Sequence, residues 1–177
     1  TDTVNLYASA GRGFETPTFA ELAYRPDGLP GLNFALEPSR STNYEAGVKM
    51  LLGRATRLNL AVFRTATRND IVPDVNAGGR TTFRNAARTE RQGFELGLES
   101  QFGNGFTGWL AWTWVDAQFR DYLSTTGVDL SDNAIPGVPK SSVYAELAWR
   151  HAPSGFVTGV EGRWNAKVAV DDANSEH

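Results

Sequence analysis

The spacing of turn residues constrains this chain more than any other feature of its sequence. Tight, turn-rich joints occur at three places: Gly53-Arg54, Gly103-Asn104-Gly105 and Pro153-Ser154-Gly155. Long polar stretches lie between them: Arg12–Ser41, Asn69–Ala87 and Arg120–Lys140. Because short and long connections alternate, we predict an antiparallel sheet with tight turns at one end and long loops at the other.

The segments between these connections show period-two alternation of apolar and polar residues. In the clearest example, Phe94, Leu96 and Leu98 alternate with glycines and glutamates. Such alternation is typical of a strand whose two faces meet different surroundings. Seven strands are predicted in this way, at residues 4–10, 43–51, 56–67, 89–102, 106–119, 142–150 and 156–170. A single helical turn is expected at Thr18–Leu22.

Strand length bears on the choice between a membrane barrel and a soluble sandwich. The third, fourth and fifth predicted strands have ten or more residues, whereas strands of soluble sheets usually have about five or six. A tilted strand needs about 9–11 residues to cross a bilayer, and outer-membrane barrels have short turns at one end and long loops at the other. We therefore predict an all-β antiparallel meander of about seven strands within a larger transmembrane β-barrel. A soluble β-sandwich binding module is the alternative, because the alternation fits both.

Composition excludes several other classes of protein. No run of about 18 apolar residues is present, so no transmembrane helix is predicted. The chain has no cysteine, which rules out disulfides and thiolate metal sites. A net charge of -3 argues against a nucleic-acid partner.

The sequence offers no catalytic or metal-binding arrangement. No serine lies in a G-x-S-x-G elbow, and no glycine-rich phosphate loop is present. His151 and His177 are not accompanied by further ligands at metal-site spacing, and the loop aspartates lack the spacing of a calcium loop. We therefore expect no enzymatic activity, no cofactor and no resident metal.

Six motifs follow one another along nearly the whole chain. They are residues 7–22 (YASAGRGFETPTFAEL), 36–49 (LEPSRSTNYEAGVK), 63–72 (ending NDIV), Asn85 with 91–95 (RQGFE), 113–117 (TWVDA) and 135–140 (IPGVPK). In this order they resemble the C-terminal part of the barrel of TonB-dependent outer-membrane receptors, particularly receptors for ferric siderophores. No single motif is specific, but their order makes a chance resemblance improbable.

The resemblance implies a fold, a location and a function. Residues 1–177 would be a partial barrel domain, because the barrel of this family has about 22 strands around a plugged lumen. The plug and roughly three final strands are expected to lie outside this segment. The parent protein would sit in the outer membrane of a Gram-negative bacterium, contact its lipid, and take up a scarce nutrient with energy from TonB, which would act through the absent N-terminal region. A ferric siderophore is the expected cargo; cobalamin, haem, another metal chelate or a glycan stay open.

Aromatic and arginine side chains of the long stretches are the predicted ligand contacts, since arginine can hold an anionic chelate through charge-assisted hydrogen bonds. They are Phe14, Phe19, Tyr24, Arg25, Phe34, Arg80 and Tyr122. The alternative is that these side chains close the loops on one another. The five tryptophans are interpreted as an aromatic girdle or ordinary packing, and the strand charges Glu45, Lys49, Glu95 and Glu99 as lumen-facing residues.

Overall fold

The computed structural model describes residues 3–124 and 126–176, which form one antiparallel sheet of seven strands. The strands are β1 (Val4–Glu15), β2 (Ser39–Leu52), β3 (Thr56–Ala77), β4 (Arg80–Gly103), β5 (Phe106–Asp121), β6 (Ser141–Arg150) and β7 (Val157–Asn165). Their order in space is their order along the chain, and every neighbouring pair is antiparallel. The predicted all-β meander is confirmed.

The β3–β4 pair is much longer than the alternation indicated. The stretch 69–87, predicted as a long loop, instead forms the outer arms of a hairpin whose turn is Gly78-Gly79. Both glycines have positive φ angles, of 58° and 75°, which a tight hairpin turn requires. The prediction of a loop was wrong because the arms are polar and therefore carry no apolar periodicity.

Two other strands end at positions that differ from the prediction. β1 continues to Glu15 rather than ending near residue 10, since its outer half pairs with the first residues of β2. β7 stops at Asn165, and the residues up to 170 are not strand. The helical turn expected near Thr18 is present as α1 (Phe19–Leu22), where Thr18 and Glu21 form a capping box.

Side chains of one face form continuous rows across the sheet, because residues paired in register on neighbouring strands project from the same face. One row consists of Leu6, Val48, Leu60, Leu96, Trp112, Val143 and Trp164. The adjacent row of the opposite face consists of Tyr7, Gly47, Ala61, Glu95, Thr113, Ser142 and Asn165. One face of the strands is thus apolar and the other mostly polar, and we call them the apolar face and the polar face.

The described residues leave the apolar face largely uncovered by protein. Leu6 is 77% exposed and Val62 is 55% exposed, although both lie in the interior of their strands. The described residues contain a single sheet, so no second layer packs on this face. The alternative of a soluble β-sandwich is therefore wrong.

Aromatic residues border the apolar face at both ends. Near the tight turns, the rings of Phe106 and Trp149 lie 6.2 Å apart. Nearer the long connections, Phe94 packs edge-on against Trp112 at 4.7 Å and parallel to Trp114 at 6.1 Å. This distribution fits an aromatic girdle. Trp109 is the exception among the five, because it lies on the polar face opposite Glu99.

The buried apolar residues gather at the end of the long connections. The cluster consists of Val72, Ala86, Ala117, Phe119, Tyr122 and Ile135. Elsewhere the sheet is open at both edges, where β1 and β7 each pair with one neighbour within the described residues. A sheet with two open edges and an uncovered apolar face fits a segment of a larger barrel, which would pair both edges with further strands. Among these residues no helix is long and apolar enough to cross a bilayer.

Candidate functional site

Three residues fasten the β1–β2 connection to the β3–β4 hairpin. The Asn85 side-chain amide donates to the backbone oxygens of Glu37 and Asn69 at 2.9 and 2.8 Å. The Glu37 N–H donates to Asn85 Oδ1 at 2.9 Å, and Asn69 Nδ2 donates to the Glu37 carboxylate at 2.6 Å. These residues, which we call the asparagine lock, come from three of the six motifs. The resemblance therefore includes residues that position the loops.

A first cavity, the β1–β2 cavity, lies between this connection and the hairpin and has a volume of about 470 Å³. Tyr24, Arg25 and Arg80, three of the predicted ligand contacts, line it. The Arg80 guanidinium lies 5.3 Å from the centre of the Tyr24 ring, within the range of a cation–π contact. The cavity thus presents an aromatic face and a cation supplied by two distant segments.

The second cation of this cavity is already paired. Arg25 Nε donates to Asp27 Oδ1 at 3.0 Å, and a second guanidinium nitrogen also reaches that carboxylate. The Asp27 carboxylate also accepts from the Leu29 N–H at 3.1 Å. The hydrogen bonds from Arg25, and then from Leu29, lower the pKa of Asp27 below its ordinary value. The pair therefore stays ionised at neutral pH, and Arg80 supplies the less compensated charge.

A second cavity, the β5–β6 cavity, lies between the hairpin, the β5–β6 connection and residues 170–173, with a volume of about 520 Å³. Tyr122 lines it and is only 3% exposed. Its hydroxyl donates to Asp172 Oδ2 at 2.8 Å, and the Arg84 guanidinium lies 4.8 Å from its ring centre. Burial is the main cause that raises the pKa of both Tyr122 and Asp172. Tyr122 is therefore a fixed hydrogen-bond donor in this cavity.

The three predicted phenylalanines do not join either cavity. Phe14, Phe19 and Phe34 are between 77% and 84% exposed, and none lines either cavity. Phe14 lies on β1 rather than in a loop, opposite Arg40 on the face that carries the apolar rows. The structure thus brings together Tyr24, Arg25 and Arg80, and places Tyr122 on the other side of the hairpin.

Sequence reasoning did not predict Arg84, Asp74 or Asp172 as cavity residues. Arg84 approaches Asp74 to 3.9 Å as well as the Tyr122 ring, and Asp172 belongs to a segment 50 positions away from Tyr122. Contacts between distant connections leave no periodic signal. Only the hairpin register, which pairs Val72 with Arg84, would have indicated the position of this arginine.

Residues of the polar face mostly satisfy one another. Tyr7 Oη donates to Glu45 at 2.6 Å, and Tyr144 Oη donates to Glu161 at 3.0 Å. Arg57 lies 3.6 Å from Glu99. Glu45, Glu99 and Glu161 thus have partners on neighbouring strands of the same face.

Comparison with known proteins identifies the same kind of barrel. Residues 1–176 match the family model described as TonB dependent receptor-like, beta-barrel. A curated relative, the probable TonB-dependent siderophore receptor PiuA of Acinetobacter baumannii, is 25% identical over 152 residues. The matched region covers 81% of this chain and 20% of that protein.

Solved structures agree with this match. The ferric yersiniabactin uptake receptor FyuA from Yersinia pestis superposes with a TM-score of 0.72 at 18% identity, covering 99% of this chain and 25% of that one. The siderophore receptor PiuA from Acinetobacter baumannii gives 0.71 at 22% identity, with 98% and 25% covered. The chain therefore spans about a quarter of the solved structures it matches, and the superpositions establish its fold.

Proposed function

This chain belongs to the TonB-dependent receptor-like β-barrel family, and from that premise we propose that it supplies part of the barrel wall and ligand-binding loops of a nutrient receptor. Proteins of this family reside in the outer membrane of Gram-negative bacteria and are not enzymes. A ferric siderophore is the proposed cargo, because the curated relative and one structural neighbour are named as siderophore receptors and another neighbour as a ferric yersiniabactin uptake receptor. TonB would supply energy through the plug and the N-terminal region of the parent receptor.

The aromatic bands support a membrane position for the sheet, and the lengths of its connections support an orientation, because barrels of this type have short periplasmic turns and long extracellular loops. Phe106 and Trp114 lie on one strand, eight positions apart, which corresponds to about 26 Å of extended chain and, at a strand tilt of about 40°, to a height of roughly 20 Å. Barrels of this type carry an apolar band about 25 Å tall between two aromatic girdles. The apolar face would contact lipid, the tight turns would lie in the periplasm, and the long connections outside the cell.

The observation that carries the ligand proposal is the meeting of Tyr24 and Arg80 in the β1–β2 cavity. A ferric chelate with anionic oxygen ligands would accept charge-assisted hydrogen bonds from a guanidinium, and an aromatic ring can flank the organic part of such a chelate. The cavity lies at the end of the sheet where the long connections gather. We assign ligand contact to Tyr24 and Arg80. Arg25 lines the same cavity, but its charge is compensated by Asp27.

Two opposite substitutions in the complete receptor test this assignment. Arg80→Ala is expected to weaken binding of an anionic ferric siderophore by about tenfold or more, because a hydrogen bond to a charged group contributes about 1.5–3 kcal/mol. Asp27→Asn is expected to strengthen binding, because it removes the carboxylate that occupies Arg25. Since the pKa of Asp27 is lowered, the pair stays intact above the ordinary aspartate pKa near 3.9, and wild-type affinity should not vary with this group between about pH 5 and 8.

Arg54→Ala is the matched control, because this exposed arginine lies in the tight β2–β3 turn at the opposite end of the sheet. Titrations with ferric siderophores, haem and cobalamin would also define the cargo. Unchanged affinity in Arg80→Ala, or equal losses in Arg80→Ala and Arg54→Ala, would contradict the assignment.

A further inference from the structure

Three arginines form a row across neighbouring strands, on the same face as the apolar rows. Arg40 of β2 pairs in register with Arg68 of β3, which pairs in register with Arg88 of β4. We call these residues the arginine row. They share parity with Val62 and Phe94 in strands that alternate without interruption over this range, so all three project from the side of the wall that the proposed function turns toward lipid.

The arginine row carries more positive charge than the described residues around it compensate. All three residues are exposed, and none makes an ion pair with a carboxylate of the described ranges 3–124 and 126–176. Asp121 of β5 lies opposite Arg88 in register, but the ion pairs of the described residues do not include these two side chains. Like charges directly opposite one another destabilise a sheet. An external anion would remove this repulsion.

Arg64, which lies nearer the apolar rows on the same face, has carboxylate partners within the chain. Arg64 lies 2.6 Å from Glu90, which also holds Arg120 at 3.3 Å, and Arg120 in turn lies 2.8 Å from Asp132. The two carboxylates of this network compensate the two arginine charges at the position on this face that follows Val62 along β3. The arginine row, two levels further out, has no such network among the described residues and is therefore available to an outside anion.

The height of the arginine row limits the kind of anion that reaches it. Arg68 is six positions beyond Val62 and Arg88 is six positions before Phe94, about 20 Å of strand at 3.3 Å per residue. A tilt of about 40° reduces this to a height of roughly 15 Å above the apolar rows. The polar layer of a phospholipid leaflet is only about 5–8 Å thick. A phosphate carried on a taller sugar headgroup fits this level better.

We propose that the arginine row binds the phosphate groups of a phosphorylated glycolipid in the outer leaflet. Arginine guanidinium groups are suited to this role because their planar donors hold phosphate in pairs. Three such groups in register, at the spacing of neighbouring strands, would share one or two phosphates. The proposal rests on the lipid-facing orientation given above and adds a specific lipid contact to it.

The test uses the complete receptor in detergent with purified lipopolysaccharide, whose inner sugars carry phosphate. Arg68→Gln is expected to weaken binding roughly fivefold, and a triple change of Arg40, Arg68 and Arg88 to Gln roughly a hundredfold, from the attraction of each arginine to an anionic membrane surface. Arg54→Gln makes the same charge change at the opposite end and should leave binding unchanged. Removing the phosphates from the lipopolysaccharide should weaken its binding to the wild type. The affinity that remains should equal that of the triple variant for the phosphorylated form.

Three results would overturn the proposal. They are equal binding of lipopolysaccharide by the wild type and both row variants, equal binding of the phosphorylated and dephosphorylated forms, and binding to phosphatidylglycerol vesicles as tight as to lipopolysaccharide. Siderophore affinity measured on the same samples separates this proposal from the receptor function. Loss of glycolipid binding with intact siderophore binding identifies the arginine row, whereas glycolipid binding without siderophore binding refutes only the proposed cargo.

Discussion

Gly47 lies opposite Tyr7 in the β1–β2 pair and leaves room for the tyrosine ring. A Cβ atom at this position would lie 2.6 Å from Cε1, Cζ and Oη of Tyr7. The ring covers the glycine and brings its hydroxyl to Glu45 at 2.6 Å. Because Gly47 has no side chain, the Tyr7 ring can lie over it and reach Glu45 on the polar face.

Gly47→Val is expected to push the Tyr7 ring away from β2 and break its hydrogen bond to Glu45. The cost should be about 1–3 kcal/mol, as for other insertions of extra methylenes into packed positions, and should appear as a lower urea midpoint of the refolded receptor. Gly11→Val is the matched control, because a Cβ at Gly11 has no neighbour within 4 Å and valine favours strands. Equal midpoints for the two variants would contradict the account.

At the scale of elements, the asparagine lock makes the first long connection a defined structure. Its hydrogen bonds join Glu37, just before β2, to Asn69 of β3 and Asn85 of β4. Asn33 adds a bond from its side chain to the backbone oxygen of Phe83 at 3.2 Å. The walls of the β1–β2 cavity are therefore held by the hairpin, so ligand contacts depend on residues that touch no ligand.

Asn85→Ala is expected to loosen the connection without unfolding the barrel. It removes one accepted and two donated hydrogen bonds of the Asn85 side chain, and each group left unpaired costs about 1–3 kcal/mol. Amide hydrogen exchange of residues 33–38 in the complete receptor should accelerate about tenfold or more, since 1.4 kcal/mol corresponds to a factor of ten. Asn76→Ala, on the exposed part of the same hairpin, should leave that exchange unchanged, and equal rates in both variants would contradict the role of the lock.

Strands could be predicted from the sequence where one face must be apolar, because apolar and other residues then alternate along the strand. Phe94, Leu96 and Leu98 must share one face for β4 to present an apolar surface, so alternation indicated that strand and its neighbours. The outer arm of the hairpin around Val72 and Arg84 obeys no such constraint. The residues of this arm pair because the register of the inner half of β3 and β4 continues outward. The local sequence of the arm carries no pattern that predicts this pairing.

At the scale of the whole molecule, the order of the six motifs predicted the family and the open sheet. The candidate site was predicted only in part: Tyr24, Arg25 and Arg80 meet in one cavity, while Asp27 and Arg84 modify the charge of the two cavities without any signal of their own. The exposed phenylalanines stay predictions, since each is more than three-quarters exposed and none lines either cavity. The sequence shows which residue types are suited to ligand binding. Which of these residues meet in one cavity depends on how the connections between the strands fold.

The central claim is that the tight turns and the long connections lie on opposite sides of the outer membrane. The chain has no cysteine, so single cysteines can report on each side. Thr126→Cys, in the β5–β6 connection, and Arg54→Cys, in the β2–β3 turn, place an exposed reporter at each end. These variants would be made in a complete receptor that lacks other reactive thiols.

The measurement is labelling of intact cells with a membrane-impermeant maleimide. The account predicts that Thr126→Cys is labelled in intact cells, whereas Arg54→Cys is labelled only after the outer membrane is permeabilised. Labelling of Arg54→Cys but not Thr126→Cys in intact cells, or equal labelling of both, would contradict it.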